Sequence, residues 1–186
     1  MKSQIEDLIA KITTLEAELE VEFAKRSAGL RFGLEQGRIV FEEEVRRRHQ
    51  ALKTATLKYI LNARSLVILV APVIYSLIIP FVILDIFVSV YQAICFPVYG
   101  IEKVRRKDYF IFDRSSLGYL NAIEKLNCAY CAYGNGLIAY VREIAARTER
   151  YWCPIKHARR VIGAHGHYRD FADYGDAEAF DTLKKH

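Results

Sequence analysis

At 186 residues the chain has room for one compact domain and a membrane element, but not for two full domains. Lys and Arg total 27 against 22 Asp and Glu, and the resulting net charge of +5 invites a nucleic-acid partner; the clustering of those charges around an apolar run argues against one. The mean hydropathy of +0.04 averages a charged amino-terminal third, an almost uncharged middle and a mixed, tyrosine-rich remainder, so it does not imply a soluble protein.

Residues 1–56 read as an amphipathic helical arm. Ile5, Leu8, Ile12, Leu15 and Leu19 recur at alternating spacings of three and four, a coiled-coil pattern with Glu and Lys between. The phase changes near Phe23, and Gly29, Gly33 and Gly37 weaken the helix signal before Ile39, Phe41 and Val45 resume it. Two readings stand: an arm for homo-oligomerisation, or a helix packed on the chain's own domain. Residues 1–25 contain no uninterrupted apolar stretch of the kind a secretory signal needs, so the later apolar run is expected to insert as an internal anchor.

Residues 57–104 read as a membrane helical hairpin. The run from Leu66 to Ile101 contains one charged residue, Asp85. As one straight helix it would extend roughly 54 Å, against about 30 Å of hydrocarbon, so two helices of about 18 residues fit better. Arg46, Arg47 and Arg48 precede the run, and Lys103, Arg105, Arg106 and Lys107 follow it. Basic flanks mark the anionic, cytoplasmic lipid surface, which places both on one side and both termini in the cytoplasm of a cell with an inner membrane. Pro80 is the expected bend. The tip carries no Gly, Asn or Ser, so it either stays inside the bilayer as a monotopic wedge or is buried against neighbouring subunits. Asp85 reads as a functional intramembrane carboxylate or as a residue ending a helix at the tip, and Asp85 with Gln92 are the candidate pore residues. Gln92 and Cys95 also read as packing residues.

Residues 105–186 read as a cytoplasmic helical domain. Helical patterns over 115–132 and 137–152 flank Gly134-Asn-Gly136, which predicts a turn joining two antiparallel helices. Cys128-x2-Cys131, followed by Cys153-x3-His157, supplies three thiolates and an imidazole, the ligand count of a closed structural zinc site. A simple helical hairpin would hold the two pairs roughly 20 Å or more apart, so closure would need a further bend at Pro154. Buried reduced cysteines are the competing reading, and an iron–sulfur cluster a third, since Cys153 is followed by proline. In the tail, His165 and His167 with Asp170, Asp173 and Asp176 read as a second metal site or as a polar surface segment. No nucleotide-binding loop, zincin motif or nucleophile triad order occurs, so no enzymatic activity is indicated.

The segments 127–136 (NCAYCAYGNG), 141–149 (VREIAARTE) and 151–157 (YWCPIKH) together resemble the motif of a bacterial membrane-protein family without an assigned activity. The resemblance covers roughly residues 108–180. It implies a bacterial source and a cytoplasmic carboxy-terminal domain, and it carries no functional residues over. The expected fold is therefore all-α: arm, membrane hairpin and cytoplasmic domain. The expected role is a membrane scaffold that engages the bilayer, copies of itself and a cytoplasmic protein partner. The alternatives are a subunit of an oligomeric channel or transporter, and a membrane-bound redox protein.

Overall fold

In the computed structural model the protein is described over residues 2–28, 32–35 and 38–184. The expected interruptions at Gly29 and Gly37 lie outside the described residues. The chain divides into two compact units, 1–53 with 116–119, and 54–115 with 120–186.

In the first unit, α1 spans Lys2–Ala28, and β1 (Phe32–Glu35) pairs antiparallel with β2 (Arg38–Phe41) before α2 (Glu43–Leu52). The heptad residues do lie on a helix, and Leu8, Ile12, Leu15 and Leu19 are each more than half exposed. Among the described residues the fold is helical, as expected, with one two-stranded ribbon added to the helices. Ile39-Val40-Phe41 is a run of good strand formers, and pairing with Phe32–Glu35 satisfies its backbone without a helix. His49 packs edge-on between Phe41 and Tyr119, with ring centroids 4.9 and 5.0 Å away.

The second unit begins with the short α3 (Thr56–Leu61), then α4 (Ser65–Ser76) and α5 (Ile78–Tyr99). The expected reversal at Pro80 does not occur. Leu77 keeps a right-handed helical backbone (φ −63°, ψ −14°), and Ser65–Tyr99 forms one apolar helical element of 35 residues. Pro80 is the third residue of α5, where its missing N–H costs least, and the Phe81 N–H still donates to the Leu77 carbonyl at 3.2 Å.

The chain turns back at Gly100, whose φ of 69° gives the left-handed cap that ends α5. The chain then runs back beside α5, with Val104 bonded to Gln92 and Arg106 to Asp85, and makes short 3-10 turns at Arg106–Asp108 and Asp113–Ser116. Asn121 caps α6 (Ala122–Trp152): its side-chain oxygen accepts from the Ile123 and Glu124 N–H groups, and the Glu124 carboxylate accepts from the Asn121 N–H. Because the chain has been carried back, α6 runs parallel to α4–α5. Tyr75 meets Asn127, Phe81 lies against Gly134, Gln92 meets Tyr140, and Tyr99 packs on Trp152.

The expected turn at Gly134-Asn-Gly136 is likewise absent, and α6 passes through it unbroken. These glycines serve close approach. A Cβ on Gly136 would lie 2.6 Å from the Tyr109 carbonyl oxygen, and one on Gly134 would lie 3.0 Å from the Phe81 ring. The core forms where α5, the return segment and α6 meet: Phe96, Val104, Leu137, Tyr140 and Ile144 are buried together. After α6 the tail folds back through a bridge between Ile155 and Ala172, a 3-10 turn at Gly166–Asp170 and α7 (Ala177–Lys184).

Candidate functional site

α5 has two faces of opposite chemistry. Asp85, Gln92 and Phe96 recur at helical spacing and are buried. The opposite stripe holds Ile79, Ile83, Phe87, Val90, Ile94 and Val98, all exposed, with Phe87 at 71% and Val98 at 76%. On α4, Leu66, Val67, Ile68, Leu69 and Val73 are open, Ala71 and Tyr75 are half-buried on the side facing α6, and no residue of that helix is fully buried. A continuous aliphatic surface of this size is far larger than isolated exposed side chains, and surfaces of that kind mark interaction sites.

The buried face is held by a polar clasp. The Asp85 carboxylate receives both terminal nitrogens of Arg106, with Nη2 at 2.7 Å, the Tyr133 hydroxyl at 2.9 Å and the Ser89 hydroxyl at 3.4 Å. The Arg106 guanidinium also covers the Phe110 ring at 3.9 Å. Two helical turns further on, Gln92 accepts from the Val104 N–H at 2.6 Å and donates to the Tyr140 hydroxyl at 2.7 Å. Each of these groups is one that burial would penalise unless it were paired, and here each pairs with another. The hydrogen bonds to Asp85 raise the Arg106 pKa further above its usual range, outweighing partial burial. Burial, and then donation to Asp85, raise the Tyr133 phenol. The chemical effect of the clasp is to weld the return segment and α6 to the inner face of the apolar helix.

This geometry redistributes the residues singled out from sequence. Asp85 and Gln92, the candidate pore residues, are engaged within the unit. Arg106, expected at the lipid surface, is the counter-ion of Asp85, while Lys103, Arg105 and Lys107 remain exposed. Arg46, Arg47 and Arg48 lie on α2, where they pair with Glu43 and Glu44. The Cys/His set is not brought together. Cys128 and Cys131 lie in the first turns of α6, whereas Cys153 and His157 follow its end; 22 residues of unbroken helix put Cys131 and Cys153 ~33 Å apart. All four cysteines are free, and among the described residues no group of three or more His, Cys, Asp or Glu could hold a metal ion.

The tail histidines face α6 carboxylates. His165 Nε2 lies 2.9 Å from Glu149, His167 Nε2 lies 3.3 Å from Glu143, and Arg142 donates to the Gly163 and Ala164 carbonyls. Burial alone would raise the Glu143 carboxyl, but hydrogen bonds from Arg147 (2.8 Å) and His167 hold it below its ordinary value. The local sequence assigns Tyr133 and Tyr140 no partner. A lone carboxylate in an apolar run does demand a cation and hydroxyl donors, yet which of four nearby basic residues would answer was open until the path of the chain was known.

The chain matches no protein-family model, no curated protein and no solved structure.

Proposed function

We propose that this chain is a non-enzymatic membrane-anchored scaffold, held to a bilayer by Ser65–Tyr99 and presenting its helical remainder to other proteins. One observation carries the reading. The apolar element is 35 residues long, with a mean hydropathy of 2.8 in its most apolar window, and none of that window is buried inside the protein. A soluble core helix of that composition would be covered by its own fold. Burying this surface in lipid stabilises the attachment in proportion to the apolar area removed from water, and about a dozen large aliphatic side chains at roughly 1.5–3 kcal/mol each is ample for stable anchoring.

The clasp fits a scaffold better than a channel, because its polar groups are satisfied within one copy of the chain. α1, with its exposed apolar stripe, supports self-association as the second element of the reading. The test is fractionation of cells that express the full chain. The protein is expected to sediment with membranes, to resist alkaline carbonate and to need detergent for release. Recovery in the supernatant without detergent would overturn the proposal.

A further inference from the structure

Resting on that reading, and going beyond it, we propose that Ser65–Tyr99 lies in the plane of the membrane, embedded from one surface, and does not cross it. The partner is thus one leaflet of the bilayer, met side-on along the whole helix.

The argument comes from what travels beside the helix. A crossing of ~30 Å of hydrocarbon takes about 20 residues of helix. A window ending at Tyr99 starts near Pro80. Alongside it runs the return segment, since the Val104 N–H is bonded to Gln92 and Arg106 to Asp85. That window would draw exposed Lys103, Arg105, Lys107 and Asp108 into the hydrocarbon. A window starting at Ser65 ends near Leu84. Alongside it is the start of α6, because Asn127 meets Tyr75 and the Tyr130 hydroxyl donates to the Ile74 carbonyl at 2.7 Å. Glu124 and Lys125, within one turn of Asn127, would then lie near the bilayer centre. Intermediate windows combine both sets. Charges at that depth are costly, even with Arg105 and Asp108 paired to each other at 3.1 Å and Glu124 accepting from the Asn121 N–H.

Sidedness settles the orientation. Charge and apolarity are separated across α5, not along it. The Asp85, Gln92 and Phe96 side carries the return segment and α6, while Ile79, Ile83, Phe87, Val90, Ile94 and Val98 on the other side are each more than half exposed among the described residues. A helix with that division satisfies both faces only when its axis is parallel to the surface, apolar stripe in the acyl boundary and polar companions in the headgroups. Arg64 at one end, and Lys103, Arg105 and Lys107 along the other half, are then placed to meet phosphate without leaving the interface.

Because α5 and α6 are parallel, polarised infrared measurement of the unmodified full chain in oriented phosphatidylcholine bilayers containing phosphatidylglycerol reads the tilt of both. Amide I dichroism is expected to show the dominant helix axis close to the membrane plane. In a cysteine-free background, spin labels at Leu69→Cys, Ile83→Cys and Ile94→Cys are expected at one shallow depth by oxygen and nickel-chelate accessibility. An axis near the bilayer normal, with the Ile83 label deepest, would overturn the in-plane proposal and leave anchoring intact. A chain that does not associate with the vesicles, including one that forms a soluble oligomer covering this face, would overturn the anchor itself.

Discussion

Asp85 and Arg106 stand 21 positions apart, on opposite sides of a chain reversal, yet the guanidinium engages both carboxylate oxygens. Asp85 is nearly buried while Arg106 keeps almost half of its side chain open, so the pair lies between the surface and interior regimes of ion-pair energetics. Asp85→Asn or Arg106→Ala is expected to cost about 2 kcal/mol and to release the return segment. Trypsin cleavage at Arg105 and Lys107 in detergent-solubilised protein should accelerate. If either single variant matched the parent protein in both cleavage rate and thermal midpoint, the clasp would not be what holds that segment.

Gly134 and Gly136 provide an ordered test of close approach. Alanine favours a helix over glycine by roughly 1 kcal/mol, so a solvent-facing Gly→Ala change in α6 would stabilise it. At 136 the added methyl meets a backbone carbonyl that cannot swing away, whereas at 134 it meets the edge of a phenylalanine ring. Gly136→Ala is expected to destabilise by about 1–3 kcal/mol and Gly134→Ala by distinctly less. The reverse order in thermal unfolding would show that α6 does not pack against the return segment in this register.

The tail should be acid-sensitive through Glu143. A carboxyl held below its ordinary value stabilises the folded state above its unfolded titration range, and that contribution is lost as pH falls through its folded value. Arg147 and His167 face this carboxylate, so protonation severs both contacts at once. Protection of residues beyond 153 against limited proteolysis is expected to decline on acidification below the ordinary carboxylate range. Glu143→Gln is expected to expose the tail at neutral pH and to flatten that dependence. A tail equally protected in parent and variant at all pH values would remove Glu143 from its attachment.

Asn121 is fully buried and closes the first turn of α6. Asn121→Ala is expected to cost about 1 kcal/mol, the usual scale for loss of an N-cap, and Asn121→Asp to cost less because the acceptor is kept. Hydrogen exchange of the first-turn amides Ile123 and Glu124 reads the effect directly. Unchanged protection in the alanine variant would contradict the capping box.

The two cysteine pairs, separated by the length of α6, should behave independently. Chelators are expected to leave helicity and thermal stability of the purified protein unchanged, and Cys128→Ser with Cys153→Ser to be additive within about 0.5 kcal/mol. Stoichiometric zinc lost together in that double variant would require the tail to adopt a different path.

The amino-acid sequence by itself determined the features that depend on local composition. The heptad stripe of α1, the apolar character of Ser65–Tyr99 and the demand of Asp85 for a partner are all properties of neighbouring residues. Tertiary structure decided how far each element runs and what lies beside it. Pro80 and Gly134-Asn-Gly136 have the composition of breaks, and both are passed through as helix. Pro80 falls in a first turn that needs no donor, and the two glycines leave room for a backbone and a ring that arrive from elsewhere in the chain. The reversal instead uses Gly100, where one left-handed residue is enough to send the chain back. From that reversal follow the parallel packing of α6, the choice of Arg106 over its basic neighbours, and the separation of the cysteine pairs. All three depend on contacts between residues far apart in the chain, which local spacing does not encode.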